Sequence, residues 1–273
     1  YANCGDPINI IAPMIGNTVG HVFEIKGQAI VTLKNLQIKD SQTRGILVHE
    51  NAALYLESID VSDNVAGIRV LDGAYLHLDE NSSVYGNGDI DNIPKGGGIW
   101  CFGNNSEVAI AGTIQNNQAT SGGNIYIEDG CFATLEGGAH IKGGLLNGIL
   151  YSAHYGGGIM VHDGGELIAD GDQERVLITD HRAIVSGGGL YVFGTGKATL
   201  FNTYFSNNVS EVEGSAIYAI NGGNTTQVTM DRVSNCPFFI SCSEIDNNDF
   251  FYSVIYINNS KVKIKLIPVL QQV

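Results

Sequence analysis

The chain has 273 residues, 28 acidic against 14 basic side chains, and a net charge of −14. That balance argues against a nucleic-acid partner, because phosphate contacts need Lys and Arg, and against docking on anionic lipid. Thirty-six glycines, 5 prolines and only 15% charged residues make a turn-rich β composition rather than a disordered one, and no apolar run reaches the roughly 20 residues of a membrane helix.

No Met or signal peptide opens the chain, so Tyr1 reads as a processed or cloned boundary. Residues 1–22 read as an N-terminal cap turn, with a strand-like Ile8-Asn9-Ile10-Ile11 between Pro7 and Pro13. Residues 23–273 form one repeating domain. Its first unit holds Phe23-Glu24-Ile25, Val31-Thr32-Leu33 and Leu36-Gln37-Ile38. The second holds Ile46-Leu47-Val48, Leu54-Tyr55-Leu56 and Ile59-Asp60-Val61, and the third begins with Ile68-Arg69-Val70 and Leu76-His77-Leu78. Short alternating runs separated by Gly, Asn and Asp are strands joined by turns.

Further along, the leading strand follows a glycine motif: Gly96-Gly97-Gly98-Ile99, Gly122-Gly123-Asn124-Ile125, Gly156-Gly157-Gly158-Ile159, Gly187-Gly188-Gly189-Leu190 and Gly214-Ser215-Ala216-Ile217. From Phe23 through Ile46, Ile68, Ile99, Ile125, Ile159, Leu190 and Ile217 to Ile255, the steps are 23, 22, 31, 26, 34, 31, 27 and 38 residues. A base unit of this size, with insertions of varying length, predicts an all-β, right-handed parallel β-helix of about nine coils. A propeller needs longer blades, and a leucine-rich repeat needs its own signature. A second recurrence, apolar-x-x-Asn, appears at Val61…Asn64, Val84…Asn87, Ile114…Asn117, Phe205…Asn208 and Ile245…Asn248. Asn suits a repeated corner because it tolerates left-handed backbone and bonds its neighbours. Two coils depart, with Gly144 and His181 at that place; glycine fits on backbone grounds, and His181 marks a different corner.

The alternation of Gly-Gly-x-Ile-like and Phe-x-x-Asn-like motifs, over about Phe23 to Lys265, resembles the repeat of chlamydial-type polymorphic outer-membrane proteins and of bacterial autotransporter passengers. Phe205-Ser206-Asn207-Asn208 and Gly214-Ser215-Ala216-Ile217 match best. The resemblance implies a secreted or cell-surface, adhesin-like protein of the bacterial exterior.

A search for chemistry finds little. A polygalacturonase-like site needs Asn-x-Asp, Asp-Asp, Gly-His-Gly and Arg-x-Lys motifs together. The last three do not occur, Gly20-His21-Val22 being the nearest, and Asn-x-Asp stands without them at Asn87-Gly88-Asp89 and Asn247-Asn248-Asp249. Glu24 and Glu128 are the outward carboxylates of the leading strands, too far apart to divide acid and base roles. Arg69 points outward without an acidic trio for calcium. Asp170 to Glu174 and Asp246 to Asp249 read as solvated corners, and His49 with His162 lies too far apart to hold a metal. No cofactor, metal or catalytic residue is expected. Cys101 reads as a buried thiol, while Cys236 and Cys242 are the pair that could bridge.

Strand alternation sorts inside from outside. Between the inward aliphatic residues, the leading strands present Leu47, Arg69, Trp100, Tyr126, Met160, Tyr191, Tyr218 and Tyr256 outward. The next outward column reads His49, Leu71, Phe102, Glu128, His162, Phe193, Ile220 and Asn258. Trp100, Tyr126, Tyr191, Tyr218, Tyr256, Phe102, Phe193 and His162 are therefore the candidate ligand-binding residues. As an open ribbon they suit an extended neutral glycan or peptide on a host or cell surface, and the net charge should reject polyanions. The alternative is that these rings stack on one another under a cover such as Leu145 to Tyr151.

Three functions fit: a non-catalytic adhesion module, a carbohydrate-active enzyme (lyase or hydrolase) with a non-standard site, and a passenger stalk. A lyase would show clustered Arg, Lys, His or acids in a groove, an adhesin an open aromatic ribbon, and a stalk neither.

Overall fold

The structure is a computed structural model that describes residues 8–10, 20–146, 149–150, 152–220, 226–231, 233–236, 243–244, 255–258 and 261–264. The chain is a parallel β-helix. Its leading sheet has nine strands, from Phe23–Ile25 through Ile99–Phe102 and Ile159–Val161 to Ile255–Asn258. A second sheet of ten strands and a third of nine complete the coil. Seven coils show all three strands with their side chains, and the strands of two more continue in register. The N-terminal strand Ile8–Ile10 pairs parallel with Ile30–Lys34, so it extends the second sheet beyond the first coil.

The register is the one the glycine motif predicts. Ile68, Ile99, Ile125, Ile159, Leu190 and Ile217 are successive partners, each at most 1% exposed. On the third sheet Ile38, Val61, Val84, Ile114, Ile141, Ile178 and Phe205 stack in the same way. Each such side chain contributes roughly 1.5–3 kcal/mol on burial.

The corner after the third sheet shows why Asn recurs. Asn64 Nδ2 donates to Asn87 Oδ1 at 2.9 Å, Asn87 Nδ2 to Asn117 Oδ1 at 2.9 Å, and Asn117 Nδ2 to Asn124 Oδ1 at 2.9 Å. The same oxygens accept from the backbone N–H of Asn64, Asn87 and Asn117. The left-handed residue is the one before each Asn, namely Asp63, Gly86, Asn116 and Asn207. The Asn is therefore there for its amide, not for its backbone tolerance.

The two departures belong to the same ladder. At Gly144 the missing side chain is supplied by Asn124, whose Nδ2 reaches Lys142 O at 3.0 Å. Asn124 occupies the third position of its glycine motif, where Gly98, Gly158 and Gly189 are crowded, a Cβ on Gly158 lying 2.9 Å from the His181 ring, and where Ala216 is the other residue with a Cβ. His181 is a link rather than a different corner. Its Nε2 lies 2.9 Å from Asn124 Nδ2 and its Nδ1 2.9 Å from Asn208 Oδ1. Asn124 has only N–H to offer, so His181 accepts at Nε2 and donates from Nδ1, which continues the direction of the ladder.

Cys101 is not a free thiol. It is bonded to Cys131, 30 positions further along the sequence, with Cα atoms 5.9 Å apart. The bond ties the leading strand of one coil to the turn after the leading strand of the next. Cys242 lies outside the described residues, as does the side chain of Cys236.

Burial pushes His181 down to about 4 from 6.5, against the opposing pull of Asn208 and Asp180. The folded value is depressed for a base, so the unfolded chain binds the extra proton between these limits. Stability is therefore complete above pH 6.5 and falls as pH drops towards 4, by roughly 3 kcal/mol. Chemical denaturation of the parent and of His181→Asn at pH 7.5 and 4.5 should show this component in the parent alone. Closing a loop of this length contributes about 3–4 kcal/mol. Reduction, or Cys131→Ser, should accordingly lower the melting temperature with the β signal in circular dichroism retained below it.

Candidate functional site

The outward column of the leading sheet is in register along its whole length: Leu47, Arg69, Trp100, Tyr126, Met160, Tyr191, Tyr218 and Tyr256 are successive partners. It is not an open ribbon. Tyr126 is 3% exposed, Met160 7%, and Tyr191 and Tyr218 8% each, and together they form a second apolar cluster outside the helix core. Tyr191 and Tyr218 stack with ring centres 5.0 Å apart. The side chain of Tyr256 lies outside the described residues.

The cover comes from the chain just ahead of each glycine motif. Ser152–Tyr155, Arg182–Ser186 and Val209–Ser210 form a three-stranded parallel sheet of their own. Single bridges from Lys95 to Ser121, Ser121 to Tyr155 and Ser186 to Glu213 extend it. The first glycine of each motif then turns the chain back towards the leading strand in left-handed backbone, at φ +59° for Gly156, which glycine adopts readily. Tyr155 meets Tyr191 edge-on at 5.6 Å. The backbone of Leu145–Leu146 pairs antiparallel with Ile149–Leu150; the side chains expected to cover the ribbon there, and Tyr151, lie outside the described residues.

The half-buried residues of the set are Trp100, Phe102, His162 and Phe193. His162 stacks on Phe193 at 5.2 Å. Around Trp100 the structure gathers residues that the sequence leaves apart. The Arg69 guanidinium carbon lies 3.9 Å from the centre of the indole, the Lys95 ammonium 5.5 Å and the Arg44 guanidinium carbon 6.0 Å. Trp100 Nε1 donates to Glu128 Oε1 at 3.0 Å, and Lys95 Nζ lies 2.7 Å from both oxygens of Glu128. His162 Nδ1 is 3.9 Å from Glu128 Oε2. Arg69 is therefore not alone, and Glu128 is buried. Lys95 and Arg44 were missed because both stand in turns, outside the inward–outward alternation; their position just ahead of a glycine was the available signal.

Burial works against the charge on Glu128, but the nearby His162 together with hydrogen bonds from Lys95 and Trp100 outweighs it and holds its carboxyl below the ordinary range. Burial pushes Arg44 down to about 10, and Arg69 adds to the effect. Glu128 and Arg44 therefore remain ionised at neutral pH. Among the described residues no group of three or more His, Cys, Asp or Glu could hold a metal, and no helix is long and apolar enough to cross a membrane. The corner at Asp170 is an Asx turn, with Asp172 N donating to Asp170 Oδ1 at 3.2 Å; residues 246–249 lie outside the described residues. No protein-family model, curated protein or solved structure matches the chain.

The buried rings carry stability. Tyr126→Ala should cost about 3 kcal/mol, the scale for emptying a packed aromatic site, while Phe102→Ala at its half-buried position should cost less than half of that. Denaturant midpoints of the two variants separate the outcomes, and equal losses would mean that the two columns are equally covered.

Proposed function

We propose that the chain is a non-catalytic binding module of the cell exterior, secreted or surface-attached, that holds an extended glycan or peptide around Trp100, on the fourth strand of its leading sheet. The observation that carries this reading is the convergence of Arg44, Arg69 and Lys95 on the single, half-buried Trp100 beside Phe102. Trp and Arg concentrate where binding energy is largest, because each offers wide contact area together with a polar handle. With Tyr126, Tyr191 and Tyr218 buried, the contact shrinks from a ribbon along the axis to the surface around Trp100. The Cys101–Cys131 bond supports an oxidising compartment outside the cytosol. The glycine and Asn motifs, whose ladder and turns are now accounted for, support kinship with bacterial surface passengers of the polymorphic outer-membrane type.

A second reading has a specific observation in its favour. Clustered Arg, Lys, His and Glu is what a polysaccharide lyase would show, and the cluster at Trp100 has that composition. Elimination needs a base able to lose its proton near neutral pH. Lys95 Nζ is engaged by both oxygens of Glu128, and Glu128 also accepts from Trp100, so neither group is free to reach a substrate proton. Binding is the better fit.

A glycan and peptide array probed with the parent and with Trp100→Ala tests the reading, alongside an ultraviolet assay for unsaturated sugar products. The expected outcome is retention of a glycan or peptide that falls at least ten-fold in the variant, with no product formed. An array without retention, or retention indifferent to Trp100, overturns the module. Steady product release that disappears on changing Arg69 or Glu128 establishes the lyase instead.

A further inference from the structure

Arg44 is mostly buried, and its only charged neighbour with a resolved influence is another cation, Arg69. Neither arginine has a carboxylate within ion-pair distance among the described residues, where the ion pairs of Lys26, Lys34, Lys95, Arg182 and Lys197 are all formed. Arg44 Nη1 and Arg69 Nε are buried without a hydrogen-bond partner. The surrounding charges do not resolve this. Asp72 and Glu128 act on Arg69 from a distance, and Glu128 is engaged by Lys95 and the indole N–H. His21, whose ring bonds the backbone of Arg44, is pushed down by burial and by the Arg44 charge, against the pull of Glu24.

A buried, unpaired guanidinium is costly unless an anion or water satisfies it. In a protein of net charge −14, the mostly buried Arg44 and the half-buried Arg69 on one indole form a local positive site against an acidic background. The planar fork of a guanidinium matches the oxygens of a carboxylate or sulfate.

We propose that Arg44 and Arg69 form an anion-binding subsite that takes one carboxylate or sulfate group of an acidic sugar, with the sugar ring lying towards Trp100 and Phe102. This rests on the binding-module reading for its sugar portion and names the ligand class within it. It also refines the expectation drawn from net charge. A polyanion laid along the whole acidic surface is still repelled, whereas a single anionic group enters a site whose nearest charges are positive, within the ~8–10 Å over which salt leaves such interactions intact.

Because the chain has one tryptophan beside 12 tyrosines, fluorescence excited at the red edge of the tryptophan band, where tyrosine hardly absorbs, reads Trp100. Sodium glucuronate and glucose 6-sulfate are titrated at constant ionic strength against glucose, sodium chloride and sodium sulfate, with calorimetry as a second readout. The acidic sugars should give a saturable change and measurable heat; glucose and chloride should give neither, and inorganic sulfate should bind at least ten-fold more weakly than glucose 6-sulfate. Arg44→Gln and Arg69→Gln should each weaken the acidic sugars ten-fold or more, while Lys197→Gln, at an exposed pair with Glu166, leaves them unchanged. Arg44→Gln should melt no lower than the parent, since it removes an uncompensated cation. No saturable response in folded protein, affinities unmoved in both arginine variants, or inorganic sulfate binding as tightly as the sugars would each overturn the subsite. Retention of neutral glycans on the array would then leave the binding module standing without it.

Discussion

The side-chain amide ladder at the third corner is the constraint on which the rest of the fold depends. Backbone pairing between coils tolerates sliding, because one short parallel strand resembles the next. A buried Asn tolerates none: its oxygen must meet both an N–H of the preceding corner and the neighbouring amide, and a displacement by one residue leaves several polar groups unpaired at about 1–3 kcal/mol each. The ladder thereby fixes which residue of each coil faces inward. It places Ile99 over Ile68 in the core, and by the same register Trp100 over Arg69 outside it.

Loop length then decides where the outer face is open. The corners from Lys39 to Ile46 and from Ser62 to Ile68 are tight, and the outward residues that follow them, Leu47 and Arg69, lie beyond the added sheet. From Tyr85 onward the corners lengthen, and their excess chain forms the row of bridges and strands that closes over Tyr126, Met160 and Tyr191. Trp100 stands at the boundary between the two regimes. Rings further along have a layer above them, and side chains before it carry charge. A site at such a step gains a rigid floor, an apolar wall on one side and open access from the other.

Much of this was legible in the sequence, and the remainder was hidden for definable reasons. Inward positions such as Ile125 and Leu190 follow from alternation after a glycine, and their stacking follows from the repeat. The outward column is legible for the same reason, down to the pairing of Trp100 with Tyr126. Its burial is not, because cover depends on where Ser152–Tyr155 and Arg182–Ser186 run in space, and periodicity says nothing about insertions. Arg44 and Lys95 escaped notice because turn residues have no fixed side. The Cys101–Cys131 bond lacked a spacing signature. His181 looked like an exception because its role was judged by backbone preference, whereas the ladder selects for a donor and an acceptor at opposite edges of one planar group.

The exchange between Asn124 and Gly144 bears on how such a chain can change over generations. One coil has moved its amide from the corner to the end of the glycine motif and left the corner bare. Either half of that exchange alone is harmful. Removing the Asn124 amide interrupts the relay between Asn117 and His181, whereas restoring an amide at position 144 sends two groups to the one carbonyl of Lys142 and puts a side chain on backbone at φ 128°. The two positions are therefore locked as a pair and will drift together or not at all. Coils that look interchangeable by their motifs are thus individually keyed.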